Sequence, residues 1–364
     1  MHRRSFLKLC SLGAAHIACA QETPDPLRGL YQPAAPAVGE GLAYLAKEQS
    51  TAALPGAFGT GDWSGNVAIT ALAGLAFLAG GHHPQRSPHG AVVEKATAYI
   101  VSQAQPDGLL YNASSQPKGG LWMYSHGFGT LFLTEVYGTP LAVPLSRQVL
   151  QTLRRAVELI LRTQNRQGGW RYEAEVVRQA DLSVTVAQVM ALRAARNLGL
   201  RIPDAAFQRS QGFLLRCQEM PGGGFHYQPD DSYASFPMTA AGLTGLHCCG
   251  IYEGRPVDKA RDYLASFRPD EATVGTTQAD YFLYGHYYAA LAMYQAPARL
   301  WLPWYQAIRD ELLRPDAVRT ANPTPHRRQS GGFWHDPRQS PHFATALALL
   351  ILQLPLNALP IIQK

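Results

Sequence analysis

A glycine-rich turn followed by a large apolar residue recurs along the chain at a nearly constant interval. Five copies end at Phe58, Leu110, Trp170, Phe225 and Phe333, so successive copies are 52, 60, 55 and 108 residues apart. The last interval is two periods of 54, and a sixth copy without its glycine pair falls near "TVGTTQADYF". A period of 20 to 50 residues or slightly more is typical of stacked structural repeats. The chain is therefore predicted to contain six copies of one unit of about fifty-five residues.

Each unit contains two helices of different character. The first has apolar residues three and four positions apart with charged residues between them. This pattern predicts a helix with one solvent-exposed face. The second has almost no charge, and a helix that is apolar on all sides is buried on all sides. An outer ring around an inner ring satisfies both kinds, so we predict an all-α (α/α)6 toroid over residues 38–364. The helices with one solvent-exposed face are expected at residues 38–50, 91–105, 145–165, 205–220, 257–267 and 300–314.

The glycine turns join the first helix of each pair to the second, which places all six on one rim of the toroid. The N-termini of the inner helices lie on the same rim, and their partial positive charges converge on the mouth of the central cavity. We therefore expect any functional site at this rim or just inside it. The pair over residues 257–296 is expected to be the least regular, because its glycine turn has eroded.

The N-terminal segment is typical of an export signal. Residues 1–20 contain "RRSFLK", which is similar to the twin-arginine signal, and Ala18-Cys19-Ala20 fits a small-residue cleavage site. The sequence thus predicts a periplasmic or secreted protein that starts near Gln21. Lipidation at Cys19 is an alternative, although His16 stands where such a site has leucine. Residues 21–37 are rich in proline and alanine and are predicted to be extended.

Composition narrows the class of partner. The net charge is +6, and three positive charges lie in the first twenty residues, which leaves 6 − 3 = +3 for the rest. This is too small an excess to indicate a nucleic-acid-binding surface. No run of eighteen apolar residues predicts a membrane-spanning helix. Three cysteines follow the signal, and we expect Cys217, Cys248 and Cys249 to be buried free thiols.

The turns also carry a family resemblance. "QNRQGGWRY", "GGGFHYQ" and "GGFW" resemble the Q-x-x-x-G-x-W turns of the prenyltransferase and squalene-oxidase repeat superfamily, which includes squalene-hopene cyclases and the β subunits of protein prenyltransferases. The resemblance covers nearly all of the chain after the signal. The stretch from "YGHYYAALAMYQ" onward looks more like exported bacterial members of unassigned function. The resemblance implies a toroid whose ligand is an isoprenoid.

Squalene-hopene cyclases protonate an alkene with the central aspartate of a D-x-D-D-T pattern. The matching stretch here is Asp181-Leu182-Ser183-Val184-Thr185. Its first aspartate and its threonine are retained, whereas Ser183 and Val184 stand where the acid and its neighbour should be. A serine cannot protonate an alkene, so classical squalene cyclisation is not expected. Asp181 is then either an acid of the cavity or simply the N-cap of an inner helix.

Protein prenyltransferases hold zinc with an aspartate, a cysteine two residues later and a histidine on a later inner helix. The resemblance places Asp230, Ser232 and His286 at these positions. A serine has replaced the thiolate, and an Asp, Ser and His set is poor for zinc, which prefers sulfur and nitrogen ligands. We therefore expect no cofactor.

The candidate site combines polar groups with aromatic side chains. Asp181, His286 and Asp230 are the candidate catalytic residues, with Asp181 and His286 at the mouth of the cavity. Aromatic faces can stabilise positive charge, and the candidate ligand-binding residues are Trp122, Tyr124, Tyr233, Tyr281, Tyr284, Tyr287 and Tyr288. The sequence thus favours binding or transformation of an isoprenoid or another apolar chain.

Three alternatives stay open at this level. Most of these aromatics could serve packing alone, as aromatics at helical spacing usually do. Glycoside hydrolases and polysaccharide lyases also use (α/α)6 barrels, and paired carboxylates could come from Asp62, Asp181, Asp230 or Asp280. A non-catalytic toroid that binds a lipid or a protein would need neither catalytic signature.

Overall fold

The computed structural model describes residues 26–115, 121–267, 269, 281–315, 327–336 and 339–362. The described residues form α-helices, short 3-10 turns and isolated β-bridges, with no strand among them. A short helix, α1 (Pro26–Tyr31), precedes six hairpins, each made of an outer helix and an inner helix. The hairpins are α2 (Ala35–Thr51) with α3 (Val67–Ala79), α4 (Gly90–Ser102) with α5 (Trp122–Tyr137), α6 (Val143–Thr163) with α7 (Leu182–Asn197), α8 (Asp204–Arg216) with α9 (Phe236–Cys248), α10 (Arg255–Ala265) with α11 (Phe282–Tyr294), and α12 (Ala298–Leu313) with α13 (Pro341–Leu352).

The inner helices close into a ring. Each of α3, α5, α7, α9 and α11 packs on the next inner helix, and α13 packs back on α3. Their residues are almost all buried, whereas the outer helices alternate buried and exposed positions. The predicted all-α (α/α)6 toroid is therefore confirmed, and the charge pattern assigned each helix to the correct ring.

The turn "QGGW" fastens its hairpin by several hydrogen bonds. Trp170 is buried, and its indole N–H donates to the Ile160 carbonyl at 2.9 Å. Its backbone N–H donates to the Thr185 hydroxyl at 3.1 Å. The Gln164 side chain donates to the carbonyls of Gly168 and Ala206, both at 3.0 Å, which ties the turn to the next outer helix. The turn therefore links an outer helix, an inner helix and the neighbouring hairpin.

The glycine of this turn has a steric role. Gly168 has φ +96°, and a Cβ placed on it would lie 2.1 Å from the carbonyl oxygen of Arg209 on α8. Glycine is the residue that adopts such a φ without strain. Three other turns approach the next outer helix in the same way. A Cβ added to Gly56 would lie 2.3 Å from Lys95 O, one on Gly108 would lie 2.6 Å from Arg155 O, and one on Gly223 would lie 2.4 Å from Lys259 O. The glycines thus set the spacing between successive hairpins.

The first and last hairpins are joined by the same kinds of contact. A Cβ on Gly332 would lie 2.7 Å from Cβ of Glu40 on α2. The Gly59 N–H donates to Nδ1 of His342 at 2.9 Å, and the Gln353 side chain donates to the Ala76 carbonyl at 3.0 Å. These contacts span more than 270 residues of sequence and close the ring.

Residues 354–362 close the end of the inner ring that lies opposite the glycine turns. Only about 20 Å³ of open space remains beside Leu131, Tyr287 and Ile361. Glu135, on the last turn of α5, is buried there, and the backbone N–H of Ile361 bonds to its carboxyl. Burial nevertheless raises the pKa of Glu135 to about 8. The far end of the ring is thus sealed around a carboxyl group that favours its protonated form.

Several smaller expectations are also settled by the structure. Residues 26–37 are helical instead of extended, because they form α1, a 3-10 turn and the start of α2. Cys217, Cys248 and Cys249 are free as expected, the first two buried and Cys249, contrary to expectation, only partly buried because it lies just after the end of α9. Within the described ranges, no helix has the length and hydrophobicity needed to cross a bilayer. The signal at residues 1–20 and most of the eroded turn at 273–282 lie outside the described residues.

Candidate functional site

Asp181 lies at the start of inner helix α7, on the rim that carries the glycine turns. It is fully buried and is the N-cap of the helix, since its Oδ1 accepts a hydrogen bond from the Val184 N–H at 2.8 Å. Four residues later, the Thr185 hydroxyl accepts the Trp170 N–H. The two retained members of the D-x-D-D-T pattern therefore both have structural roles, and the predicted N-cap is confirmed.

The cap also connects Asp181 to a tyrosine. The Ser183 hydroxyl donates to Asp181 Oδ1 at 2.8 Å and accepts a hydrogen bond from the Tyr124 hydroxyl at 2.5 Å. Tyr124 belongs to the first turn of α5, the neighbouring inner helix. The serine that replaces the cyclase acid is thus the middle of a Tyr124–Ser183–Asp181 chain of hydrogen bonds.

Two further tyrosines approach Asp181 from the turns. Tyr172 and Tyr227 share a hydrogen bond between their hydroxyls, and Tyr172 stacks at a tilt on Tyr124 with ring centroids 6.2 Å apart. The Tyr227 carbonyl accepts the Leu182 N–H at 2.9 Å, which fixes this turn against the start of α7. Sequence reasoning missed both residues, although each lies two positions after the large residue of its turn, in the copies on either side of Asp181.

Tyrosines of α11 complete the group from across the ring. The rings of Tyr284 and Tyr288 meet edge-on with centroids 5.0 Å apart, and Tyr287 packs on Tyr288 at the same distance. Burial raises the pKa of all three phenols, and the neighbouring Tyr124 and Asp181 raise that of Tyr284 further. We call Asp181, Tyr124, Tyr172, Tyr227, Tyr284 and Tyr288 the tyrosine cluster.

Three buried polar atoms of the cluster, Asp181 Oδ2 and the hydroxyl oxygens of Tyr284 and Tyr288, have no hydrogen bond of normal geometry. Their neighbours are nevertheless polar, because the Tyr227 hydroxyl lies near Asp181 and the hydroxyls of Tyr284 and Tyr288 lie near each other. Buried atoms of this kind complete their hydrogen bonds with ordered water or with a ligand. Burial raises the pKa of Asp181, while the bonds from Val184 and Ser183, the nearby Tyr227 hydroxyl and the Arg171 charge oppose that rise. The cluster therefore offers a carboxyl group that can carry a proton in an aromatic setting.

The structure brings together only part of the predicted site. His286 faces away from the cluster, since its ring packs on Phe282, Phe236 and Trp304 with centroid distances of 4.0, 4.8 and 6.2 Å. Its Nδ1 bonds to the Phe282 carbonyl at 2.8 Å. Trp304 belongs to outer helix α12, so His286 lies between the two rings and not at the mouth of the cavity.

The remaining predicted residues lie on the rim. Asp230 and Tyr233 are exposed in the turn before α9, with Tyr233 77% exposed. Tyr281 is 48% exposed at the start of α11 and lies near Tyr172. Trp122 is half-buried at the start of α5 and packs on Tyr111 with ring centroids 5.5 Å apart. Asp280 lies outside the described residues.

Open space in the described part of the toroid is found mainly on the rim. A groove of about 570 Å³ is lined by Arg171, Tyr172, Arg178 and Gln179, among others. A second groove of about 580 Å³ lies on the other side of Glu173 and contains Trp122. Segment 171–179 thus lines both grooves, and Tyr172 belongs both to the first groove and to the tyrosine cluster. Within the described residues, no group of three or more His, Cys, Asp or Glu side chains is arranged to hold a metal ion.

Comparison with known proteins gives one weak sequence match. No family model matches the chain. Drimenyl diphosphate synthase of Streptantibioticus cattleyicolor is 28% identical over 144 residues, which is 40% of this chain and 25% of that enzyme. The chain therefore aligns with only about a quarter of that curated relative.

Solved structures with similar folds include a terpene cyclase and a mannanase. The type II terpene cyclase MstE from Scytonema, in complex with geranylgeranyl dihydroxybenzoate, matches 92% of this chain and 100% of its own, with a TM-score of 0.56 and 14% identity. An inactive variant of the α-1,6-mannanase GH76A of Salegentibacter sp. HEL1_6, in complex with α-1,6-mannotriose, is also similar. The match covers 88% of this chain and 99% of the mannanase, with a TM-score of 0.59 and 9% identity. At these identities the likeness establishes the fold alone. The chain thus has the (α/α)6 toroid fold that the turn motifs predicted, and it is similar in fold to the terpene cyclase and, over part of its sequence, to drimenyl diphosphate synthase.

Proposed function

We propose that the protein binds an isoprenoid or similar apolar chain within the inner ring, with the tyrosine cluster around the polar end of that chain. The observation that carries this proposal is the group of three buried polar atoms without a hydrogen bond of normal geometry, Asp181 Oδ2 and the hydroxyl oxygens of Tyr284 and Tyr288, among aromatic side chains at one end of the ring. A ligand hydroxyl could hydrogen-bond to them while its hydrocarbon chain packs on the aromatic faces. The turn motifs and the partial match to drimenyl diphosphate synthase support an isoprenoid as that chain.

Binding is favoured over cyclisation or thiol prenylation. Ser183 occupies the position of the cyclase acid, and Ser232, exposed on the rim, occupies that of the zinc thiolate. We propose that the ligand site works without a metal cofactor, because the donor set at Asp230, Ser232 and His286 includes no thiolate. His286 moreover faces the outer ring, away from exposed Asp230.

The test compares two ligands that differ by one polar group. Farnesol and squalene are titrated against tryptophan fluorescence of the wild-type protein and of Asp181→Ser, in which the serine still caps the helix but Oδ2 is gone. We expect saturable binding of both ligands to wild type. Farnesol should bind about tenfold more weakly to the variant, the loss of about 1.4 kcal/mol expected for one hydrogen bond, while squalene binding stays unchanged.

The matched control is Asp62→Ser, which changes an exposed aspartate on the same rim and should alter neither affinity. Glycan processing is the competing function, since the mannanase shares the fold and carries mannotriose. α-1,6-Mannotriose is therefore titrated in parallel. Saturable binding of mannotriose, reduced by Asp181→Ser, with no response to farnesol or squalene, would replace the isoprenoid proposal with a glycan one.

We also propose that the protein is exported through the twin-arginine pathway. The support is the sequence of residues 1–20, with paired arginines and a small-residue cleavage site. A fusion of these residues to a folded reporter should reach the periplasm, and a double change of Arg3 and Arg4 to lysine should retain it in the cytoplasm. Periplasmic reporter in the double variant would contradict this route.

A further inference from the structure

One face of α5 runs from the tyrosine cluster to the end of the ring that residues 354–362, which we call the tail, close. Its residues are spaced four, three and four positions apart, so they share one side of the helix: Tyr124, Phe128, Leu131 and Glu135. Tyr124 belongs to the cluster, Leu131 lines the small space beside the tail, and Glu135 bonds to the tail itself. At 1.5 Å per residue this face is about 16 Å long.

A matching face of α11 lies across the ring. The order of the inner helices places α5 and α11 opposite each other, and the rings of Phe128 and Tyr287 approach to 6.5 Å between centroids. On α11, Tyr284 and Tyr288 of the cluster share a face with Leu291, which also lines the space beside the tail. An apolar chain with its polar end at the cluster would therefore extend between these two faces toward the tail.

The tail crosses this end of the ring from one side to the other. Its first turn, Leu354–Leu356, packs on α11 and α13, and its last turn, Pro360–Ile362, packs on α7, which lies opposite α13 in the ring. Between the two turns Leu359 is buried, whereas Ala358 is exposed. The tail thus lies across the ends of both helix faces, with one side in the ring and the other in solvent.

The tail is held less firmly than the helices that surround it. Beyond Leu356, its described part consists of irregular backbone and one 3-10 turn. Leu359 is buried and Ile361 is partly buried, and the Ile361 N–H donates to the Glu135 carboxyl. Segments with few buried contacts open at a lower free energy than the core does. The tail is therefore the part of this end that can move while the inner helices stay in place.

We propose that the tail is a displaceable plug, and that an apolar chain longer than the distance from the cluster to the tail pushes it out of the end of the ring. The inference rests on the proposed function and adds how the same site admits long chains. Farnesol is short enough to stay within the face of about 16 Å, whereas squalene has twice as many isoprene units and would reach beyond it. Squalene binding therefore costs the contacts of Leu359 and Ile361, and farnesol binding does not.

The experiment compares farnesol and squalene on wild type and on two tail variants by tryptophan fluorescence titration. In one variant the chain stops after Asn357; in the other, Leu359→Ser removes the buried side chain and keeps the full length. Both variants should bind squalene about tenfold more tightly than wild type does, and farnesol within twofold of wild type. Val143→Ser changes an exposed residue at the start of α6, outside the ring at the same end, and should alter neither affinity.

Hydrogen exchange tests the plug in the unmodified protein. The Ile361 amide, which donates to Glu135, should exchange at least tenfold faster with squalene bound than with farnesol bound. Equal exchange with the two ligands, or binding of farnesol alone, would overturn the plug and leave the apolar-chain proposal standing. Failure of wild type to bind either ligand would overturn the apolar-chain proposal, and the plug with it.

Discussion

Gly168→Ala should lower the free energy of unfolding by about 4 kcal/mol, one of the largest effects expected of any single substitution in this chain. The residue has φ +96°, which strains any side chain, and the added Cβ would lie 2.1 Å from the backbone carbonyl of Arg209. A backbone carbonyl inside a helix cannot move aside as a side chain can. Chemical denaturation monitored by circular dichroism measures the loss.

Gly199→Ala is the matched control for this effect. Gly199 has nearly the same φ, +98°, but nothing lies within 4 Å of the position its Cβ would take. Gly199→Ala should therefore lower the free energy of unfolding only by the cost of a side chain in this backbone conformation, about 1–2 kcal/mol. The difference between the two variants measures the contact between adjacent hairpins. Equal losses of unfolding free energy in the two variants would show that the contact between Gly168 and Arg209 does not set the spacing between hairpins.

Glu135→Gln should abolish a pH-dependent loss of stability. Burial raises the pKa of this carboxyl from 4.5 to about 8 in the folded protein, so between these values the folded state holds a proton that the unfolded state has released. Stability due to this group is therefore greatest below pH 4.5 and falls as the pH rises through 8, by about 4–5 kcal/mol in total. Glutamine cannot ionise, so the free energy of unfolding of the variant should exceed that of wild type by about 3 kcal/mol at pH 7.

The measurement is the difference in unfolding free energy between variant and wild type at several pH values from 5 to 8.5. Glu158→Gln changes an exposed glutamate on outer helix α6 and should leave the pH profile as it is. A constant difference between Glu135→Gln and wild type across this range would mean that the carboxyl does not titrate there. The tail at Ile361 would then not be packed against a protonated acid.

The architecture could be predicted because it depends on patterns that repeat. Burial on all sides removes charge from an entire helix, and this signal is strong over twelve or more residues, as in α3 and α13. The turn glycines and Trp170 were equally visible, because a close backbone approach leaves glycine as the residue that fits without strain. The predicted start of α12 at residue 300 differs by two residues from its position at Ala298.

The site could be predicted only in part, for a geometric reason. Helical residues turn by about 100° each, so Tyr284 and Tyr288 share a face, while His286 lies about 200° from Tyr284 on the opposite one. Applying this rotation to α11 would have separated His286 from the tyrosines. Tyr172 and Tyr227 lie in irregular turns, where no period reports the direction of a side chain. Their approach to Asp181 depends on packing between three hairpins.

The contacts between the first and last hairpins bear on the order of events in folding. An open array of repeats can nucleate anywhere and needs capped ends, whereas the glycine at 332 rests on α2 and His342 receives the Gly59 N–H, which leaves no free end in the finished ring. These pairs are more than 270 residues apart, and such distant contacts form slowly. Until residues 332–353 are synthesised, the apolar faces of α2 and α3 that receive α13 remain uncovered. A nascent chain of this protein therefore carries an exposed apolar edge at α2 and α3 until its sixth hairpin has been made, and that edge is open to intermolecular contact during synthesis.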